Sequence, residues 1–177
     1  CTLNAALDNR NVVDHYKYWN EDAIRASLDT KRFPFIVVCE NFDKDFNIST
    51  VVRNCNAFTG KEMWIVGNRK WDRRGAVGTH NYEHVHHAPS ITDVVNKYPD
   101  YRVVCCEAYP QAVDIRTYQW NEKSILVFGQ ESVRVTNEAL DLADDVVYIP
   151  QFGTTRSLNV GCASAIAMYS YVQAYGV

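Results

Sequence analysis

Three separated segments of this chain carry polar side chains of the types that do chemistry. Asn47 and Arg53 lie six residues apart, Gly129 is followed two places later by Glu131, and Ser157 and Asn159 flank Leu158. The third segment is the densest. In Ile149-Pro150-Gln151-Phe152-Gly153-Thr154-Thr155-Arg156-Ser157-Leu158-Asn159-Val160-Gly161-Cys162-Ala163, a strand-like start enters a loop of hydroxyls and amides with one arginine, and small apolar residues follow. Such a loop offers convergent donors and acceptors to a bound small molecule. The small residues after it let something pack closely. The combination points to a cofactor pocket on an α/β sheet.

The elements that must position these residues alternate along the chain. Residues 11–29 predict an amphipathic helical extension, and residues 33–39 (FPFIVVC) read as a short buried strand. A helix is expected over 47–58, ending before Gly60 as a C-cap, then a strand at 62–66 and a polar loop at 67–79. A strand-like HVHHA follows, with a helix from Ser90, an N-cap candidate, to about residue 98. The second round predicts strands at 101–107, 124–128 and 146–149, a helix near 136–142 and a final helix over 157–175. This alternation predicts an α/β fold with a parallel-type sheet and helices on both faces. Ligands in such sheets sit beyond the carboxyl ends of the strands. The loops at 40–47, 107–111, 129–134 and 150–157 all follow strands and are free to converge there.

Read in order, these segments resemble the three motifs of the SpoU, or TrmH-like, RNA ribose 2'-O-methyltransferases. Asn47-Ile48-Ser49-Thr50-Val51-Val52-Arg53 resembles the first, Ile125-Leu126-Val127-Phe128-Gly129-Gln130-Glu131 the second, and Ile149-Pro150 through Ser157-Leu158-Asn159-Val160 the third. The likeness spans roughly residues 33–175. It implies the SPOUT fold with a C-terminal trefoil knot, S-adenosylmethionine (SAM) as cofactor, and a homodimer. A knot is a rare exception to ordinary topology, and composition and periodicity do not reveal one. On this basis residues 1–30 are expected to form an N-terminal helical extension and 31–177 the catalytic methyltransferase domain.

The implied reaction sets the residue roles. A ribose 2'-hydroxyl is a poor nucleophile that must lose a proton as it attacks, so the site needs a group near the hydroxyl, phosphate anchors and a shaped pocket. The resemblance makes Arg53, Asn47, Glu131, Ser157 and Asn159 the catalytic set. Arginine stays protonated in proteins, so positioning and electrostatic stabilisation are the expected part of Arg53. Asn47 and Ser157 also suit helix caps. Gly129, Ile149 and Leu158 match cofactor-contact positions, and Glu107 and Ala108 end a strand that should line the same pocket. One departure stands out. The family's second motif continues as G-x-E-G-x-G, whereas this chain has Ser132 and Arg134 in place of the later glycines. Side chains there would alter loop shape or cofactor affinity.

Arg69, Lys70, Arg73 and Arg74 surround Trp71, a local positive charge with an aromatic ring that suits RNA phosphates and an unstacked base. His80, His84, His86 and His87 invite a metal reading, but no cysteine or carboxylate pattern completes a tetrahedral set, and no metal is expected. Along a strand His84 and His86 share a face and His87 points oppositely. Across the 177 residues the net charge is −3, against a protein that coats nucleic acid indiscriminately. No apolar run approaches the roughly 18 residues of a membrane span. The six cysteines include no C-x-x-C pair, and most lie in apolar runs, as reduced core residues do. The first residues, CTLNAALDNR, lack the basic-then-apolar order of a secretory signal, and a cytoplasmic location is expected. The expected function is SAM-dependent methylation of a ribose 2'-hydroxyl in RNA, tRNA of the D-loop guanosine type ahead of rRNA, with neither DNA nor a membrane as partner. The alternative is a non-catalytic RNA-binding protein on the same scaffold.

Overall fold

The computed structural model describes residues 8–42, 47–130 and 134–176. Glu131 and Ser132 of the second motif, and Cys1, lie outside the described residues. The sheet has seven strands, β1 (Phe33–Asn41), β2 (Gly60–Gly67), β3 (Val85–Ala88), β4 (Arg102–Cys106), β5 (Val113–Asp114), β6 (Ser124–Phe128) and β7 (Asp145–Tyr148). Their order is β3-β2-β1-β6-β4-β7-β5, and every pairing is parallel. The helices are α1 (Glu21–Asp29), α2 (Asn47–Ala57), α3 (Ile91–Lys97), α4 (Asn137–Leu142) and α5 (Val160–Tyr175).

Alternation along β1 explains why both faces are covered. Phe35, Val37 and Cys39 enter one core with Val51, Val52 and Cys55 of α2 and Ala167, Met168 and Tyr171 of α5. Ile36 and Val38 enter the other with Ile91 and Val94 of α3 and Ala139 of α4. A one-residue slip of β1 would exchange the two sets, so its register is tightly specified.

The expected helix over 11–29 is helical only at Glu21–Asp29, after a single 3-10 turn at Asp14–Tyr16. Tyr18 has φ 71°, a left-handed conformation that no continuous helix contains. The Asn20 side chain then starts the helix afresh, accepting from Ala23 N at 2.7 Å. The last helix also begins late. It starts at Val160, with Asn159 rather than Ser157 as its cap. The two-residue strand β5 lies in what reads as a loop, too short to show a hydrophobic alternation.

The extension joins the sheet through Tyr16, Ile24, Leu28 and Tyr82. Beneath them the buried Arg32 guanidinium donates to Asp29 Oδ1 at 2.6 Å, Glu83 Oε1 at 2.9 Å and the Tyr82 carbonyl at 2.7 Å. Burial pushes the Glu83 carboxyl up, and the charge of Arg32 opposes that rise. No disulfide joins the described cysteines, and no described helix is long and apolar enough to cross a membrane.

Candidate active site

The loops that leave β4, β6 and β7 at their carboxyl ends converge on a cavity of about 220 Å³. Its walls include Glu107, Ala108, Gly129, Ile149, Ser157 and Leu158. All five residues expected to hold a cofactor therefore meet in one space, with one of the expected catalytic residues at its edge. Cys106, Gln130, Arg134, Gln151 and Arg156 also line it. Gln130, Gln151 and Arg156 belong to the second and third motifs and Arg134 is a glycine replacement, so of these residues Cys106 alone carried no sequence signal. Gln151 Oε1 is buried there with no hydrogen-bond partner. Burial pushes the Cys106 thiol well above its usual value, which leaves it a poor nucleophile.

The wall after β6 is a tight return. A Cβ on Gly129 would lie 2.3 Å from Val135 N, so only glycine lets the chain fold back at that distance. Arg134 N donates to the Gln130 carbonyl at 2.9 Å, closing the turn. Phe42 N donates to Gln130 Oε1 at 3.0 Å, tying this turn to the end of β1. Val135 N donates to Glu107 Oε2 at 3.3 Å, tying it to the end of β4. Beyond it the buried Glu40 accepts from Thr136 N at 2.8 Å and Thr136 Oγ1 at 2.5 Å. Arg134, one of the glycine replacements, has φ 62°. That is the left-handed region in which a side chain costs about 1 kcal/mol or more.

A second cluster forms where α2 and α5 begin. Asn159 Oδ1 accepts from Gly161 N at 2.8 Å, capping α5, and Asn159 Nδ2 donates to Asn47 Oδ1 at 2.8 Å. The first and third motifs thus touch through two of the expected catalytic residues. The helices behind them are locked together. Asn54 Nδ2 donates to the Gly161 carbonyl at 2.8 Å and Ser164 Oγ at 3.0 Å, and a Cβ on Gly161 would meet Thr50 Cγ2 at 2.7 Å. Two helix N-termini, each with a partial positive charge from its backbone dipoles, therefore lie side by side next to the cavity. Arg53 sits further along α2, about 9 Å down the axis from Asn47 at the ordinary helical rise. It is exposed, and its guanidinium makes no hydrogen bond or ion pair among the described residues. Ser157 is exposed at the cavity edge, its carbonyl accepting from Thr155 Oγ1 at 3.1 Å.

The loop after β2 presents its cations unequally. Trp71 packs on the core, and the Arg73 guanidinium lies 5.7 Å from its ring. Arg69 and Lys70 are exposed, while their carbonyls accept from His87 Nε2 at 3.1 Å and Asn41 Nδ2 at 3.3 Å. Arg74 is tied to Asp72 at 2.9 Å, and holds that carboxyl down to about 2. Of the four basic residues expected to meet RNA, Arg74 is the one already neutralised. His84 pairs with Asp29 at 2.8 Å and His86 with Glu62 at 3.0 Å in a groove at the amino ends of the strands, and His87 lies on the other face. Among the described residues no three of His, Cys, Asp and Glu are grouped to hold a metal ion.

A parallel sheet with a polar-rimmed cavity at its carboxyl edge is the architecture of small-molecule-binding α/β domains. The SpoU rRNA Methylase family model matches residues 34–169, and the chain belongs to that family. It is 30% identical over 145 residues to the tRNA (guanosine(18)-2'-O)-methyltransferase of Escherichia coli strain K12, covering 78% of this chain and 63% of that relative. The chain thus spans less than two thirds of that relative's length. Its fold is similar to that of the Aquifex aeolicus TrmH/SpoU tRNA modifying enzyme, with a TM-score of 0.78 at 22% identity, covering 88% of this chain and 82% of that one. It is also similar to the SpoU methyltransferase AviRb of Streptomyces viridochromogenes in complex with AdoMet, with a TM-score of 0.72 at 20% identity over 83% of this chain and 63% of that one.

Proposed function

We propose that this chain is a SAM-dependent methyltransferase acting on a ribose 2'-hydroxyl in RNA, with tRNA, at a D-loop guanosine, as its favoured substrate. The observation that carries this reading is the convergence of Glu107, Ala108, Gly129, Ile149 and Leu158 on one cavity, next to the bonded pair Asn47 and Asn159. The cavity suits SAM chemically. The unpartnered Gln151 Oε1 is a buried acceptor for an amino group, of which the cofactor carries two kinds. Ile149 and Leu158 supply apolar walls, and Gly129 brings bare backbone to the same space. When bound, SAM supplies an electrophilic methyl on a sulfonium.

The side chains of the chain then have separable tasks. The adjoining starts of α2 and α5 favour negative charge beside the cavity, where the hydroxyl oxygen gains anionic character as its proton passes to solvent water. Arg53, always cationic, orients an RNA phosphate and stabilises that charge. Ser157 and Asn159 hold the nucleotide at the cavity edge, and Glu131 completes the set from the β6 loop. Arg69, Lys70 and Arg73, with Trp71, grip RNA outside the cavity, Arg74 contributing least because Asp72 neutralises it. The likeness to the E. coli tRNA (guanosine(18)-2'-O)-methyltransferase supports the substrate preference.

The finer architecture belongs to the same reading. Residues 31–177 form the catalytic domain with a trefoil knot near α5, and residues 1–30 an extension to it. Two copies pair through the exposed face of α5, where Ile166 is 40% and Tyr169 55% exposed. Calorimetry with SAM and with its demethylated product, followed by mass spectrometry of 2'-O-methylated nucleosides in tRNA incubated with protein and SAM, tests the reading. Binding and a new methylated guanosine are expected. No binding at millimolar ligand would leave the non-catalytic RNA-binding scaffold, a reading that the strained Arg134 in the cofactor wall favours.

A further inference from the structure

The arginines of the described chain fall into two groups. Arg10, Arg25, Arg32, Arg74, Arg102 and Arg116 each face a carboxylate partner. Among the described residues, Arg53, Arg69, Arg73, Arg134 and Arg156 have none. Three of these five belong to the first motif and the β2 loop, whose tasks are given above. Arg134 and Arg156 have no task yet. They stand on different loops, after β6 and after β7, and both line the same cavity. Both are exposed, so the guanidiniums stand at its mouth rather than in its depth. The one acidic residue among the cavity's described lining is Glu107, and its oxygens are engaged by Ala108 N at 3.2 Å and Val135 N at 3.3 Å. Among the described residues the mouth therefore carries a net positive charge with unused donor forks.

Arg134 adds a second, independent observation. Its φ of 62° would suit glycine, yet the position carries the largest cationic side chain. A strained residue retained at a ligand-facing position is a reason to look for a role.

We propose that Arg134 and Arg156 form a clamp across the cavity mouth that grips a phosphate of the RNA backbone beside the reacting ribose, as positioning residues for the methyl transfer. This rests on the reading of the chain as an RNA methyltransferase. A phosphodiester fits better than the cofactor's own carboxylate for two reasons. The exposed forks face outward, where the RNA must approach. A sulfonium cofactor also gains nothing from two cations at its entrance, whereas a polyanion is drawn to them. Guanidinium forks meet phosphate oxygens in a bidentate way that ammonium groups do not. Two loops that share one phosphate would fix the ribose relative to the cavity, which is what an in-line displacement requires.

The test uses the whole chain and an unmodified tRNA transcript. Arg134→Ala with Arg156→Ala keeps the left-handed strain at residue 134 and removes only the charges. RNA affinity is measured from 50 to 300 mM salt, the demethylated cofactor by calorimetry, and KM and kcat separately. The clamp predicts at least a tenfold loss of RNA affinity, a salt slope shallower by about 1 to 2, cofactor affinity within twofold, and KM for RNA rising more than kcat falls. The double lysine variant should regain the slope and only part of the affinity. Unchanged RNA affinity and slope would overturn the clamp. So would a tenfold loss of cofactor affinity with RNA binding intact, which would assign the arginines to the cofactor. A wild-type chain that binds the demethylated cofactor but neither binds nor methylates RNA would instead overturn the methyltransferase reading, and the clamp with it.

Discussion

Asn159 donates one amide hydrogen to Asn47 while its carbonyl oxygen caps α5. One side chain thus performs a structural and a positioning task with opposite ends, and the two tasks separate by substitution. Asn159→Asp keeps the capping oxygen but cannot donate to Asn47. It should unfold within about 0.5 kcal/mol of the parent, because a carboxylate at a helix start is favourable, and lose methyl transfer by a factor of ten or more. Asn159→Ala should lose about 1–2 kcal/mol as well. Thermal unfolding and single-turnover assays on both variants check this. An Asp variant with normal turnover would show that the bond to Asn47 is structural only.

Arg53 stands on α2 without a described partner. Arg53→Ala should therefore leave stability within about 0.5 kcal/mol, as exposed substitutions do, and cofactor affinity unchanged, while turnover falls by about a hundredfold or more. Arg53→Lys should recover little, since an ammonium does not reproduce the planar fork. Near-normal turnover by the Ala variant would remove Arg53 from the mechanism.

Relief of backbone strain gives a prediction independent of activity. Arg134→Gly should stabilise the chain by about 1 kcal/mol, because residue 134 sits at φ 62°, raising Tm by about 2–4 °C. Arg134→Ala should not, because it keeps a Cβ at the same dihedral. Equal Tm for the Gly and Ala variants would contradict the strain.

How far the sequence could be read depends on what each signal encodes. The apolar runs at β1 and β6 are continuous because both faces of the sheet are covered, so strand positions follow directly from them. The convergence of Glu107, Ala108, Gly129, Ile149 and Leu158 on one cavity was legible because these residues follow strand ends, which parallel topology brings to one edge. The helix at 11–29 was misread because an amphipathic count cannot see the left-handed Tyr18. The cap of α5 was misplaced because Ser157 and Asn159 are both good caps, and only the contact with Asn47 decides between them. Pairing across the chain hid the neutralisation of Arg74 by Asp72 less than it hid the lack of partners at Arg134 and Arg156. The first is a two-residue neighbour relation, and the second is a property of the whole charge distribution.

The α5 surface makes the assembly testable. Cys162, Ile166, Tyr169 and Gln173 share an exposed face, and the Tyr169 ring lies 6.1 Å from Phe58, the residue after α2. Tyr169→Glu should leave the monomer folded, because Tyr169 is 55% exposed, and shift a dimer to monomer in light scattering at micromolar concentration. A parent chain that is monomeric under those conditions would end the dimer proposal.

Asp145 opens β7 and accepts from Arg102 Nε at 2.5 Å and Tyr118 Oη at 2.6 Å. The Arg102 hydrogen bond is the main cause that lowers its carboxyl below the ordinary range, with help from Tyr118. A lowered folded value means that the unfolded state binds its proton first. The contribution is thus complete above the unfolded value of about 4 and is lost as pH falls through the folded one. Asp145→Asn should be less stable than the parent at pH 7, and the difference should shrink as urea titrations move from pH 5 to pH 2. A difference that is constant over that range would refute the linkage.

The all-parallel sheet also sets a timetable for synthesis. Ile36 to Cys39 pair on one side with Ile125 to Phe128, so one edge of β1 waits for a partner made about ninety residues later. At ordinary ribosomal speed that wait is on the order of ten seconds. Throughout it, an uncharged Ile-Val-Val-Cys edge faces the surroundings with unpaired backbone groups, as aggregation-prone edges do. Nascent chains halted before residue 124 should accordingly depend on chaperones for solubility, and those that have released β6 should not.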